Sequence, residues 1–264
     1  MIPSQINTDE TGGIEMATAS CRELVIAAML GAVGVTAQAE LVGRDLDGNF
    51  ANGSEAYYDT VLAVTWMRDA NYAVTSGYVA DGAFTWSAAN NWVSGLNAYG
   101  ITGWRLPKVQ PVNGSNFQYF DWADQFSGTR DESYNITSER SELAYMFHVN
   151  LGNLSQYDTA GSARPGLSGT DWGLVNRGPF IQLVNDVYWT GVEYEPNMGE
   201  AWAFHVYAGA QTSLPKGYPL LAWAVHDGDI GVAVVPEPAS AILLLLGMSV
   251  HLPCARQRMR SRCR

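Results

Sequence analysis

The sequence predicts an α+β fold in a single domain, with two helices, short antiparallel strands and long loops. Three observations predict it. Strand-like runs, rich in β-branched and aromatic residues, occur at the start and in the last third of the domain. Two segments between them have apolar residues at helical spacing, and long polar connections separate these elements. Because strands and helices do not alternate along the chain, the order favours α+β over an alternating α/β sheet.

The first strand is predicted at residues 57–66, where β-branched and aromatic residues are frequent. A helix is predicted to begin after Thr85, which can cap it, and to end before Gly100. The apolar residues of this helix recur every three or four positions, at Trp86, Ala89, Val93 and Leu96. We expect that face to pack on a sheet.

An extended segment follows at residues 103–108, and Pro107 ends it. Its Arg105 has two interpretations: a contact to a ligand, or a paired arginine that holds the loop after the helix. The second helix is predicted at residues 138–151, because acidic residues favour its start and Gly152 stops it.

The last third of the domain is predicted to contain four strands separated by Gly or Pro turns, at residues 180–183, 187–190, 201–207 and 220–226. Two long loops, at residues 109–137 and 155–178, complete the domain. Loops of this length are usually functional or mobile. The first of them contains the aromatic residues Phe117, Tyr119, Phe120 and Trp122.

The N-terminal segment, residues 1–39, has the layout of an extension followed by a secretory signal peptide. An arginine precedes an apolar run at residues 24–37, and the small-residue site Ala-Gln-Ala occupies positions 37–39. We expect translation to start at Met16 and the mature chain to start at Glu40. A buried N-terminal helix is the alternative interpretation.

The domain that follows, residues 40–234, is strongly acidic and lacks cysteine. It holds 21 acidic and 9 basic residues, which gives a formal net charge of −12. This charge argues against nucleic acid as a partner, because such contacts need Lys and Arg. All three cysteines lie outside the domain, at positions 21, 254 and 263. Disulfides, a cysteine nucleophile and a thiolate metal site are therefore excluded from it.

The polar segment at residues 43–52 has oxygen-bearing side chains at alternate positions. Asp45, Asp47 and Asn49 are spaced like the first ligands of a calcium loop, and such ligands suit a hard cation. The sixth and twelfth positions lack the Gly and Glu of an EF-hand loop. A Ca²⁺ site and an Asx-type turn without a cation both stay open.

The sequence shows no readable catalytic motif. The histidines of the domain occur singly, without zinc-ligand spacing, and the chain has no Gly-x-Ser-x-Gly elbow. Carboxylate pairs such as Asp227 with Asp229 would suit glycoside chemistry only if the fold set the right separation. We therefore predict a protein that is not an enzyme and whose only candidate cofactor is Ca²⁺.

The C-terminal tail, residues 235–264, has three ordered parts: Pro236-Glu237-Pro238, an apolar segment at residues 239–252, and five arginines. The apolar segment is too short for a stable transmembrane helix, and its arginines lie where the positive-inside rule places cytoplasmic charge. We expect it to anchor the chain transiently in the inner membrane. A disordered basic tail is the alternative.

This tail resembles the PEP-CTERM sorting signal of Gram-negative bacteria. The resemblance implies processing by an exosortase and export to the cell envelope or a biofilm matrix. Pro253 departs from the pattern, because it shortens the apolar segment.

A second set of motifs spans most of the domain: Thr65-Trp66, Thr85-Trp86-Ser87-Ala88-Ala89, Gly103-Trp104-Arg105-Leu106-Pro107, Ser141-Glu142-Leu143, Tyr188-Trp189-Thr190 with Glu193-Tyr194, Ala201-Trp202-Ala203-Phe204, Ala222-Trp223-Ala224-Val225 and Asp227-Gly228-Asp229. This set resembles the Lcl C-terminal domain family. The resemblance implies a C-type lectin-like fold and adhesion to sulfated polysaccharide. That partner conflicts with the net charge of −12, because the domain repels polyanions.

The tripeptide Glu195-Pro196-Asn197 is similar to the mannose-type calcium motif of C-type lectins, although the Trp-Asn-Asp partner is missing. The similarity implies that Glu195 and Asn197 bind Ca²⁺ and sugar hydroxyls, with Trp189, Tyr194 or Trp202 against a sugar ring. A chance match is the alternative. We predict an exported, non-enzymatic protein that binds exopolysaccharide or serves structurally in a matrix. The alternative is an envelope enzyme of the sulfatase-modifying class.

Overall fold

Two six-stranded sheets and three short helices make up the described part of the chain. The computed structural model describes residues 40–233. Its strands are β1 (Leu41–Asp45), β2 (Ala56–Asp59), β3 (Val64–Met67), β4 (Ala83–Phe84), β5 (Trp104–Arg105), β6 (Ser133–Tyr134), β7 (Val187–Glu193), β8 (Glu200–His205), β9 (Ala210–Pro215), β10 (Leu220–Leu221), β11 (Val225–Asp227) and β12 (Val232–Ala233). Its helices are α1 (Tyr72–Thr75), α2 (Trp86–Ser94) and α3 (Glu142–Tyr145), and α3 continues as a π-helix over Met146–Asn150.

The first sheet has the strand order β12-β1-β2-β3-β11-β5, and every pair in it is antiparallel. The second sheet has the order β4-β10-β7-β8-β9-β6, with one parallel pair between β10 and β7. Mostly antiparallel sheets with few helices are compatible with the predicted α+β class. Within residues 40–233, no helix has the length and apolar character needed to cross a bilayer.

The two sheets share one hydrophobic core, and the chain passes from β10 in the second sheet to β11 in the first. Trp223 lies in this crossing segment and is only 2% exposed. Its ring centroid lies 4.7 Å from that of Trp66 in β3 and 6.2 Å from that of Tyr188 in β7. Its indole N–H donates to the carbonyl of Met67 at 2.7 Å.

The strand predicted at residues 57–66 is instead a tight hairpin formed by β2 and β3. The carboxylate of Asp59 accepts the backbone N–H groups of Val61 and Leu62, at 2.9 and 3.0 Å. Ala63 adopts a positive φ of 52°. These local bonds reverse the chain, and β-branched composition alone does not reveal them.

The helix α2 begins where the sequence predicts but ends earlier. The side chain of Thr85 accepts the N–H of Ala88 as the predicted cap. The helix stops at Ser94, because the N–H of Gly95 closes the last turn on the carbonyl of Asn91. Its buried residues are Ala89, Trp92 and Val93, while Trp86 is only half-buried.

The second predicted helix, residues 138–151, begins later, at Glu142. Ser141 is extended and its hydroxyl is held by the side chain of Gln211, so the first predicted turn is not helical. The predicted apolar stripe is confirmed, since Leu143, Met146 and Phe147 are all buried. Gly152 follows the helix with a φ of 65°, as expected for a helix stop.

Of the four strands predicted near the end, the second and third match β7 and β8. The segment 220–226 is divided between β10 and β11, and 180–183 makes only an isolated bridge from Ile181 to Asp69. The sequence analysis missed β1 and β9, the short strands β4, β6 and β12, and the helix α1. The predicted signal peptide and the motif Pro236-Glu237-Pro238 lie outside the described residues.

Candidate functional site

A groove of about 260 Å³ lies at the β6–β9 end of the second sheet, and we call it the edge groove. The strands β6 and β9, the β8–β9 turn and two loops form its walls. Its lining residues are Phe120, Gln125, Glu132, Ser133, Tyr134, Gln156, His205, Tyr207, Ala208, Ala210, Gln211 and Thr212. Five of these residues belong to the predicted long loop 109–137.

Aromatic side chains give the edge groove apolar faces that water can reach. Phe120 and Tyr207 are 43% and 38% exposed, and Tyr134 is half-buried. Trp122 packs edge-on against Phe120, with ring centroids 4.8 Å apart, and is itself 81% exposed. Exposed aromatic area is unfavourable in water, so covering these rings with a ligand lowers the free energy of the complex.

The loop that carries Phe120 and Trp122 is fixed by Arg130. The guanidinium of Arg130 contacts the carboxylates of Asp121, at 2.9 Å, and of Asp124. It also donates to the carbonyl of Tyr119 at 3.2 Å. One arginine therefore ties together the segment on either side of the exposed indole.

Glu132 is the one carboxylate that lines the edge groove, and three donors hold it in place. One of its oxygens accepts the N–H of Phe120 at 3.1 Å and the hydroxyl of Tyr194 at 3.0 Å. The other accepts the hydroxyl of Thr212 at 3.0 Å. Burial, followed by the charge of Glu132, raises the pKa of Tyr194, so its hydroxyl stays a donor.

Two glutamines of the lining have side-chain amides that make no hydrogen bond within residues 40–233. They are Gln125 and Gln156, and each amide offers both a donor and an acceptor. Gln211 is different, because its buried amide donates to the carbonyl of Asp131 at 2.7 Å and accepts from Ser141. It supports the floor of the groove, while the amides of the other two line the groove without a partner in the described part of the chain.

His205 completes the wall, in contact with Tyr207. Its Nδ1 lies 2.9 Å from the hydroxyl of Tyr207, and its Nε2 is buried without a hydrogen-bond partner in the described part of the chain. Burial lowers the pKa of His205. The imidazole is therefore neutral at neutral pH, and no Lys or Arg is among the lining residues.

The structure places the predicted sugar-stacking tryptophans, Trp189 and Trp202, in the core. Both are 0% exposed. The indole N–H of Trp189 donates to the carbonyl of Phe84 at 2.8 Å, and Trp202 packs against Tyr119 and Phe117. Neither ring can stack on a saccharide. Trp189 is enclosed by the packed interior, and Trp202, whose side chain lies on the opposite face of the sheet, is covered by the loop that carries Phe117 and Tyr119.

The predicted motif Glu195-Pro196-Asn197 forms the β7–β8 turn. Asn197 accepts the N–H of Gly199 at 3.0 Å and donates to Glu200 at 2.9 Å. Glu195 accepts the hydroxyl of Tyr119 at 3.3 Å. Within residues 40–233, Glu195 is not part of any cluster of three acidic or histidine side chains that could hold a metal ion. Tyr194, in the same turn, reaches the edge groove only through its bond to Glu132.

The predicted cation ligands are brought together in part. Ligand oxygens of Asp45, Asp47 and Glu55 all lie within 4.8 Å of one another. The Asn49 oxygen instead accepts the N–H of Ala51 at 3.3 Å and starts a 3-10 turn. The sequence analysis missed Glu55, which the pairing of β1 with β2 brings to this loop.

The structure decides between the two interpretations of Arg105. Its guanidinium binds both oxygens of Glu142, at 2.7 and 2.8 Å, and also Asp227. The hydrogen bond from Arg105 lowers the pKa of Asp227 to about 2. Asp229 pairs likewise with Arg44. Arg105 is thus a paired structural arginine, and the carboxylates of Asp227 and Asp229 are committed to ion pairs.

The chain matches no protein-family model, no curated protein and no solved structure. Interpretation of the edge groove therefore depends on its own chemistry. That chemistry consists of exposed aromatic faces, two unpaired amides, and one carboxylate held in place by three donors.

Proposed function

We propose that the protein is an exported, non-enzymatic envelope or matrix protein that binds neutral carbohydrate in its edge groove. The observation that carries the proposal is that exposed aromatic rings and the unpaired amides of Gln125 and Gln156 line the same groove. The apolar face of a sugar ring packs against an aromatic side chain, while its hydroxyls need donors and acceptors together. A groove of this composition is typical of small-ligand sites.

The charge of the site favours neutral over sulfated saccharides. The lining contains Glu132 but neither Lys nor Arg, and the domain carries a net charge of −12. A sulfated chain would meet repulsion without a compensating cation. Adhesion to sulfated polysaccharide, which the Lcl C-terminal resemblance implies, is therefore not part of the proposal.

A binding role is better supported than hydrolysis. Glycoside hydrolysis uses two carboxylates roughly 5–10 Å apart across the bond, and Glu132 is the single carboxylate of the lining. The absence of cysteine from residues 40–234 also argues against a thiol mechanism of the sulfatase-modifying class. The motifs of the tail and of the domain support the remaining parts of the proposal: sorting by an exosortase and a C-type lectin-like fold.

The test is binding of the purified protein to a panel of neutral and sulfated oligosaccharides and matrix polysaccharides. We expect binding to neutral members, with or without a chelator, because the edge groove needs no cation. Trp122→Ala should weaken binding about tenfold, or about 1.4 kcal/mol. Gln125→Ala should weaken it as well.

Tyr218→Ala is the matched control, since Tyr218 is 51% exposed and does not line the groove. Its affinity should equal that of the unaltered protein. Binding to no saccharide at all, or equal affinity for the Trp122→Ala and Tyr218→Ala variants, contradicts the proposal.

A further inference from the structure

We propose that Asp45, Asp47 and Glu55 bind one hard divalent cation, with Ca²⁺ as the preferred ion. The three carboxylates lie where β1 ends and β2 begins, and their ligand oxygens are within 4.8 Å of one another. Ca²⁺ binds oxygens at roughly 2.3–2.6 Å, so two of its ligands can lie up to about 5 Å apart. One ion therefore fits between the three side chains.

Asp45 provides the independent observation that points to a ligand. The residue is 2% exposed, and its Oδ1 accepts the N–H groups of Asp47 and Gly48 at 3.0 and 2.6 Å. Its Oδ2 is buried and has no hydrogen-bond partner within residues 40–233. A buried carboxylate oxygen without a partner is unfavourable. A cation between Asp45 and the two neighbouring carboxylates is the partner that this oxygen lacks.

The basic side chains nearby do not supply that partner. Arg44, the neighbour of Asp45 in the chain, has its guanidinium on Asp229 at 2.5 and 2.8 Å. Arg68 donates to the carbonyl of Ser54. In the described range, no ion pair within 4.0 Å involves any of the three carboxylates. Three adjacent negative charges repel one another, and a bound divalent cation removes that repulsion.

The loop holds the three side chains in place before a cation binds. Glu55 accepts the N–H of Leu46 at 2.9 Å through Oε2, which leaves Oε1 available. Asp47 accepts the N–H of Asn49 and the side-chain amide of Asn52, both at 2.8 Å. Asp47 is exposed, so a cation enters from solvent, and water completes its coordination.

The geometry favours Ca²⁺ over Mg²⁺. Ca²⁺ accepts six to eight oxygens in flexible arrangements, whereas Mg²⁺ requires a near-ideal octahedron. Here the ligands come from an irregular loop with one buried and one exposed carboxylate. The site lies on the first sheet and the edge groove on the second, so this inference stands independently of the proposed carbohydrate binding.

Calorimetric titration of the purified, chelator-treated full-length protein with CaCl₂ and with MgCl₂ tests the inference. We expect one Ca²⁺ to bind with a Kd of about 0.1–1 mM, and Mg²⁺ to bind more weakly. Asp47→Asn and Glu55→Gln should each raise the Kd for Ca²⁺ by at least about tenfold. Glu139→Gln removes an exposed carboxylate elsewhere and should leave the Kd unchanged.

Thermal unfolding gives a second measurement. Ca²⁺ at about ten times its Kd should raise Tm by about 3 °C in the unaltered protein and in Glu139→Gln, but by about 1 °C or less in Asp47→Asn. Asp47 is exposed and its asparagine variant keeps the acceptor for Asn49, so this variant should fold. No heat of Ca²⁺ binding, or a Kd unchanged by Asp47→Asn, overturns the inference.

Discussion

Tryptophans in two regions of the molecule have opposite environments. Trp66, Trp189 and Trp223 are at most 2% exposed and belong to one hydrophobic core, whereas Trp122 beside the edge groove is 81% exposed. The buried rings belong to strands or to the crossing between strands. The exposed ring belongs to a loop. The backbone context, rather than the residue type, separates a core aromatic from one that a ligand can reach.

The difference has a physical cause. A strand side chain is buried when other elements cover its face of the sheet, as the rings of Phe117 and Tyr119 cover Trp202 of β8. The loop around Trp122 is instead held by the ion pairs of Arg130. Polar contacts can fix such a loop without burying its aromatic residues.

The largest predicted effect concerns the core side of this comparison. Trp223→Ala should lower the free energy of unfolding by about 3–5 kcal/mol, because it leaves a cavity between the sheets and removes the hydrogen bond to Met67. Urea unfolding followed by circular dichroism measures this loss. A loss below about 1 kcal/mol would show that the two sheets do not depend on a shared core.

A second prediction uses His148, whose ring packs against the core residues Phe147 and Phe204. Burial lowers the pKa of His148 from 6.5 to about 4. Between pH 6.5 and pH 4, His148 is protonated in the unfolded chain but not in the folded chain. The stabilisation present above pH 6.5 is therefore lost as the pH falls toward 4. The loss should approach about 3 kcal/mol near pH 4.

Urea unfolding across that pH range measures the effect, and His148→Gln is the control, because it has no titrating ring. The variant should show a flatter dependence of stability on pH between 6.5 and 4. Equal slopes for the two proteins would mean that His148 is hydrated in the folded state.

Much of the fold could be predicted because the core elements carry periodic patterns. The Thr85 cap, the buried stripe of Leu143, Met146 and Phe147, and the strands at 187–190 and 201–207 all follow from local sequence. β9 could not be predicted in this way. Its sequence is AQTSLP, and it is a strand because β8 and β6 supply its hydrogen bonds.

The candidate site was predictable only in its aromatic loop. The long loop with Phe120 and Trp122 was a signal for function, but Glu132, Gln156 and Tyr207 come together through pairing of β6 with β9 and through the β8–β9 turn. Trp189 and Trp202 were predicted to contact a sugar ring, but both are buried. Spacing along the chain does not encode which face of a strand meets the second sheet.

A third, smaller effect tests how the exposed loop is held. Arg130→Gln removes the pairs with Asp121 and Asp124, and partly exposed ion pairs contribute about 0–1 kcal/mol to stability. Amide hydrogen exchange over residues 117–131 should accelerate, and saccharide affinity should fall several-fold, since the loop is less ordered before binding. If the exchange rates of residues 117–131 do not change, backbone hydrogen bonds alone fix the loop.

The smallest predicted effect on stability is also the sharpest test of the comparison. Trp122→Ala should change the free energy of unfolding by no more than about 0.5 kcal/mol, because the ring is 81% exposed and contacts mainly Phe120. Urea unfolding of Trp122→Ala and of Trp223→Ala, measured side by side, gives the smallest and the largest expected losses of stability. A loss as large as that of Trp223→Ala would place Trp122 in the core. A near-zero loss together with weaker saccharide binding means that this ring serves a ligand and not the fold.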